Sequence, residues 1–318
     1  MSNSIKKEII LKAWNIINED SKIKKVYFGP GIISILFLTI LLVYQVIYTY
    51  VELFNKKEEA LVVILNFFHS SYFLETLIGF GIFVLLYIFI NPLFEGSLIQ
   101  YIHKKNISWE ASFSQSFGNG IYRFLPLFEY NNIFNQFKFI SVINIYLFCL
   151  RFIGVDYISY LNAAFLFLLG ISTVINILFS YARFEIVLND KKALESISES
   201  VRIAILNLPT TIRLYFFLFF VNIRVIINFI VFLLFPILIA LSVTYISSQV
   251  FLIITLVLVG CTFVFLIVVL GYLWGVMDIF KTAIWYFAYM EWKKTLSPPE
   301  NEEKKSESEE TLTEQFFT

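Results

Sequence analysis

"GIISILFLTILLVYQVIYTYV", residues 31–51, runs for 21 positions without a single Asp, Glu, Lys or Arg. Apolar runs of roughly 18 residues or more outlast the helices of soluble cores and match a hydrocarbon layer about 30 Å thick. The stretch therefore reads as a membrane span. It is longer than the apolar core of a signal peptide and follows a charged amphipathic arm, so it is expected to persist as the first anchor. Five further runs of the same kind follow, at 73–94, 139–155, 160–181, 225–246 and 251–276. The composition agrees, since 58% of the 318 residues are hydrophobic and 15% charged, where a soluble chain carries about a quarter charged residues. The expected fold class is all-α: a polytopic membrane protein of six transmembrane helices.

An even number of spans puts both termini on one side, and an excess of Lys and Arg marks the cytoplasmic side. Nineteen of the 24 lysines and arginines fall in the N-terminal arm, between spans two and three, between spans four and five, or after span six. The opposite side holds Lys56, Lys57 and Arg151, while Lys138 and Arg224 sit at span ends. The protein is expected in the cytoplasmic membrane, multi-pass, with both termini cytoplasmic. Residues 1–296 are expected to form one membrane domain. Residues 297–318, "SPPENEEKKSESEETLTEQFFT", carry too little apolar surface to order themselves and read as a disordered acidic cytoplasmic tail. The bilayer is the first expected partner, and the cytoplasmic helices and tail are the surfaces open to protein partners. A formal net charge of zero gives no reason to expect nucleic acid.

The fifth span depends on Arg224, which falls ten residues into an apolar region that begins near Leu214. A guanidinium at the bilayer centre costs about 2.5–3.5 kcal/mol on the insertion scale. Sliding the span to 225–246 moves the charge to the interface, where it can snorkel. That register leaves "LYFFLFFV", residues 214–221, as interfacial or protein-buried helix, and Pro236 is expected to kink the span. Asn222, Arg224, Asn228 and Asp278 would then cluster near the cytoplasmic ends of spans five and six, with Arg224 able to pair with Asp278. They are the candidate polar site. Charged groups at membrane depth often mark pathways, so these four residues carry the alternative reading of a small-solute or lipid transporter. Arg151 and Asp156, flanking an outer turn, read as a simple ion pair.

A serine phrase occurs twice: "SFSQSF" at 112–117 and "SISESV" at 196–201. Residues four apart share a helix face, so Ser112, Ser116 and Gly120 form one small-residue ridge, and Ser196, Ser200 and Ala204 form another. Ser108 and Asp190 suit the N-caps of the two helices. Apolar stripes accompany the ridges, through Trp109, Phe113, Phe117 and Phe124 in the first, and Leu194, Ile197, Val201, Ala204 and Leu208 in the second. The arm before span one has its own stripe, Ile5, Ile9, Ile10, Ala13, Ile16 and Ile17. The expected unit is a cytoplasmic amphipathic helix followed by a membrane hairpin, repeated over about 1–94, 107–181 and 190–292. The serine ridges are expected to pack on each other or on Gly271 and Gly275, a small pair near the end of span six.

The stretches "LKAWNIINEDSKIKKVYFG" (11–29), "ALESISESVRIAILNLPTTIRLYF" (193–216) and "FKTAIWYFAYMEW" (280–292) resemble the membrane domain that accompanies some bacterial glycerophosphodiester phosphodiesterases and related six-span bacterial membrane proteins. In that group the hydrolase is a separate soluble barrel, so the resemblance implies a multi-span protein and no catalytic residues. The residues themselves point the same way, with no nucleophile elbow, no paired carboxylates within a span and no glycine-rich phosphate loop. His69 and His103 are isolated, and Cys149 and Cys261 lie in apolar runs, so neither a metal nor any other cofactor is expected. The expected function is non-catalytic, organising partners or lipids at the cytoplasmic membrane.

Overall fold

A computed structural model describes residues 3–107, 112–242 and 249–296. Every regular element among the described residues is helical. In chain order they are α1 (Asn3–Glu19), α2 (Ser21–Leu53), α3 (Lys57–Phe68), α4 (Phe73–Ile107), α5 (Phe113–Tyr122) and α6 (Phe124–Asn135). They continue with α7 (Phe139–Ile153), α8 (Ile158–Leu178), α9 (Ala182–Asn189), α10 (Ala193–Leu206), α11 (Leu208–Ser242) and α12 (Gln249–Leu296). The tail at 297–318, together with Ser108 and Trp109, lies outside the described residues.

Five helical stretches are long and apolar enough to cross a membrane, and α6 with α7 supplies a sixth if that pair, bent by 48°, counts as one span. The expected third span is the one that changes character. Its helix α7 has 15 residues, about 22 Å at 1.5 Å per residue, which is short of the hydrocarbon thickness. Gly154 ends it with φ 93°, a backbone conformation that glycine alone adopts freely. At the other end, the break between α6 and α7 exposes the Phe137 carbonyl, which accepts hydrogen bonds from Asn176 Nδ2 at 2.5 Å and from the Ser172 hydroxyl. Asn176 thus has a structural task, satisfying a backbone carbonyl that the break frees from the helix ladder.

The fifth expected span also differs. Residues 214–221 and the segment from 225 onward belong to one continuous helix, α11. Leu214 and Leu218 are buried in the main core while Phe216, Phe217 and Phe220 are exposed. The stretch of α11 apolar enough to cross a membrane among the described residues is Leu208–Phe232, which takes in both this segment and Arg224, so the register 225–246 and the separate interfacial or protein-buried piece are corrected. The side chain of Pro236 and residues 243–246 lie outside what is described.

The main core lies where the spans leave their apolar runs. Leu98, Ile99 and Ile102 of α4, Tyr181 through Val187 around α9, and Ile279 through Trp292 of α12 pack together there, under α1. The arm's predicted stripe is part of it, with Ile9, Ala13, Ile16 and Ile17 buried against the core. Asp20 turns the chain from α1 into α2: its Oδ1 accepts from the Lys22 and Ile23 amides at 2.9 and 3.2 Å, a satisfied N-cap. Its other oxygen accepts from the Tyr101 hydroxyl and pairs with Lys105 of α4 at 3.4 Å. A smaller cluster of Ile35, Phe229 and Leu270 joins α2, α11 and α12 within the spans.

The small-residue ridges are real contact surfaces, but their partners differ from those expected. Gly271 and Gly275 face α2: a Cβ on Gly275 would lie 2.6 Å from the Tyr27 carbonyl oxygen, and one on Gly31 would strike the Gly271 carbonyl. The pair α2 and α12 is the most extensive helix contact among the described residues. Gly120 and Ser116 are buried against α4, where a Cβ on Gly120 would sit 2.9 Å from the Leu93 oxygen and collide with Ser97. Ser112 is the cap residue of α5, and its side chain makes no capping bond. Ser196, Ser200 and Ala204 are buried where α10 packs back on α9 and the end of α8. Each serine helix therefore docks on the helix that precedes it, because a short connection folds it straight back.

The stripe predicted for α10 is corrected as well. Leu194 is 75% exposed while Ser196 and Ser200 are fully buried, since close backbone approach selects small side chains over large apolar ones. Asp190 does not cap α10. It ends α9 in the left-handed conformation at φ 59° and pairs with Arg123, while Lys192 takes the cap position of α10.

Ser200 mends the break between α8 and α9. Its hydroxyl donates to the Leu178 carbonyl at 2.7 Å and accepts from the Tyr181 amide at 3.0 Å. Ser196 Oγ is buried with no hydrogen-bond partner. Ser200→Ala is thus expected to lose about 1–3 kcal/mol for each stranded buried group, whereas Ser196→Ala removes an unsatisfied hydroxyl at no cost. Thermal unfolding of the two purified variants in one detergent checks this, and equal losses would contradict it.

Candidate functional site

The four residues expected to form a polar site do not come together. Arg224 and Asn228 are exposed and Asn222 is half-buried. Arg224 has no ion-pair partner among the described residues, and Asp278 pairs instead with Lys281, one helical turn on, at 2.6 Å. Helix geometry explains this, because residues three apart on α12 are neighbours and Arg224 points away on α11. Arg151 likewise leaves Asp156 aside. It donates to the Tyr44 hydroxyl at 3.1 Å and to Gln45, and lies over the Tyr48 ring at 3.8 Å, tying α7 to α2.

A different charged centre forms where the spans enter the core. Glu95 lies three residues beyond Pro92 in α4 and meets Arg183 of α9, with Arg183 Nη1 2.8 Å from Glu95 Oε1 and both side chains 18% exposed. Asn131 of α6 donates to the other Glu95 oxygen at 3.0 Å. Both carboxylate oxygens are thereby engaged, as a largely buried charge requires. A second ion pair, Asp278–Lys281, lies on α12, with the Lys281 ammonium 5.5 Å from the Trp274 ring.

Lys138 takes the N-cap position of α7, in the break between α6 and α7. It lies over the Phe134 ring at 5.8 Å, is exposed, and has no carboxylate within ion-pair distance. The direct contacts are thus a Glu95–Arg183–Asn131 cluster drawn from α4, α9 and α6, and a separate Asp278–Lys281 pair on α12.

A second buried carboxylate, Glu185, is a structural anchor. It accepts from Tyr289 and Asn189 at 2.7 Å each and pairs with Lys191 at 3.1 Å and Lys293 at 3.4 Å. Nothing of its bonding capacity is left for a ligand. His103 meets the Tyr286 hydroxyl at 3.0 Å, and His69 meets the Leu65 carbonyl at 2.7 Å. No group of three or more metal-ligating side chains occurs among the described residues. Cys149 and Cys261 are free.

Reasoning from sequence missed the Glu95–Arg183–Asn131 cluster and the Asp278–Lys281 pair. The available signal was their shared depth. Glu95 follows span two, Lys138 precedes span three, Arg183 follows span four and Lys281 follows span six, so a hairpin fold brings all four to one level. No protein-family model matches the chain, and no curated protein or solved structure matches it.

Proposed function

We propose that this chain is a non-catalytic integral membrane protein that organises lipids at the cytoplasmic side of the cell membrane. The observation that carries the reading is the distribution of packing. In the apolar 18-residue window of each candidate span, the buried share is 28% in α2, 22% in the span that begins with α8, 17% in α11 and zero in α4 and α12, while the core beneath them is closely packed. Lipid tails are as apolar as leucine, so away from the close-packed glycine seam of α2 and α12 the exposed apolar faces gain little by leaving lipid for one another. Acyl chains fill the space between them, and the packed base fixes where the spans stand.

Three units of amphipathic helix plus hairpin supply that base, with both termini and the base on the cytoplasmic side, as the lysine and arginine distribution favours. Supporting the repeat, α5 docks on α4, α10 docks on α8 and α9, and α1 docks on α12. Each amphipathic helix sits on the exit of the preceding unit and the first sits on the last, which closes a ring. The resemblance to the membrane domain that accompanies glycerophosphodiester phosphodiesterases fits the same lipid-facing role.

Electron spin resonance of a spin-labelled phospholipid in reconstituted vesicles tests the reading. The protein is expected to slow more lipid per molecule than the perimeter of a closed six-helix bundle would hold, and a shell no larger than that overturns it. The α6–α7 break favours a second reading, transport, since discontinuous helices line substrate sites in transporters. It ranks second because Ser172 and Asn176 already occupy the freed Phe137 carbonyl.

A further inference from the structure

Helix α3 has no buried residue, yet beyond its first turn it is apolar except for Asn66. Four consecutive residues, Val62, Val63, Ile64 and Leu65, are 48–67% exposed. At about 100° per residue they point all the way around the helix, so α3 has no polar side to leave in water. An in-plane amphipathic helix keeps such a side, and a protein partner covers one stripe of a helix. Neither arrangement covers this one. Its level is set by the two helices it joins: Tyr27 to Leu53 in α2 and Phe73 to Ile99 in α4 each make about 39 Å of helix, with Tyr27 and Ile99 in the main core and Leu53 exposed. That length exceeds a hydrocarbon layer of roughly 30 Å, so α3 stands at the membrane face opposite the core.

We propose that α3 is sunk on all sides among lipid acyl chains just below the headgroups of that face, an anchor additional to the crossings. Its charges gather at one end and are paired there, Lys56 with Glu59 at 2.8 Å and Lys57 with Glu52 at 3.0 Å, so this end meets the headgroups while the rest is submerged. At the other end the Leu65 carbonyl, one of the last in the helix, is met by the His69 ring at 2.7 Å, a contact that hydrocarbon could not replace. Phe67 and Phe68 pack on Phe73 with ring centroids 5.6 and 4.9 Å apart. The surface of α3 thereby continues into α4, whose apolar window has no buried share. One lipid phase wets both helices. The proposal needs only that the chain crosses the bilayer, and it stands whether the spans organise lipid or carry a solute.

The test uses the full-length protein with Cys149→Ala and Cys261→Ala, carrying a nitroxide on one introduced cysteine at a time, in phosphatidylcholine vesicles. Collision with oxygen, which concentrates in hydrocarbon, is compared with collision with a neutral nickel chelate, which stays in water. In Val62→Cys, Val63→Cys, Ile64→Cys and Leu65→Cys alike, oxygen is expected to exceed nickel severalfold, and in Glu58→Cys to fall below it. Nickel access at one or more of the four would make α3 a surface helix with a wet side. Exclusion of both reagents from one side would mean that a second copy of the chain or another protein covers it. Either result overturns the proposal. Depth at α3 is read separately from the count of slowed lipid, so four submerged positions with an ordinary lipid shell would sink the lipid-organising reading and leave this one standing.

Discussion

Gly275→Ala is expected to be among the most damaging small substitutions in the protein, lowering stability by about 3 kcal/mol, the upper part of the range for overpacking. The added methyl would lie 2.6 Å from the Tyr27 carbonyl oxygen and 3.1 Å from its carbon. Both are backbone atoms of a helix, so no side chain can swing aside to make room. Gly31 and Gly271 meet on the same seam, where α2 and α12 touch backbone to backbone. Gly260→Ala on the same helix supplies the contrast, because a Cβ there meets nothing within 4 Å. That change is expected to be neutral or to gain up to about 1 kcal/mol through helix propensity. Chemical or thermal unfolding in detergent reads both, and a pair of variants with the same stability would refute the seam.

Glu95→Ala is the second large effect. It strands the Arg183 guanidinium and the Asn131 amide in surroundings where each side chain of the ion pair is 18% exposed. Removing one partner of a buried pair costs about 3–5 kcal/mol, mostly through the charge left behind. Arg183→Ala is expected to fall in the same range, and the double variant to be clearly less damaged than the two losses combined. A coupling of about 0.5–3 kcal/mol in the double-mutant cycle is the expected result, and additivity to within about 0.5 kcal/mol would show the two residues to be independent. The carboxamide of Glu95→Gln keeps an acceptor for Asn131 and is expected to lie between wild type and Glu95→Ala.

Much of the architecture is readable from hydropathy, because the bilayer imposes a length on every helix that crosses it. The run at 31–51 lies within α2, and the run at 73–94 lies within α4. The run at 139–155 misleads for a physical reason. Its 15-residue helix counts as a crossing only with α6, and a break that hydrogen bonds from α8 repair leaves no mark on an apolarity profile. Arg224 misleads in another way: a charge inside an apolar run attracts notice, yet it is exposed, while Glu95 and Arg183 at the run ends look like ordinary flanking residues. The serine phrases were legible as contact surfaces from their spacing of four. Their partners were not, since spacing along one helix says nothing about which neighbour the fold brings to it.

The seating of α1 against α12 has a consequence for how the molecule is made. Ile9 and Ala13 leave the ribosome well before the surface that receives them, which is translated more than 260 residues later. During synthesis the leading helix must wait at the membrane surface with its greasy side unclaimed, a state prone to aggregation or to capture by insertion factors. The α1 seat is therefore completed only after α12 is made, and a nascent chain stalled before α12 leaves an open joint for quality-control proteases to find.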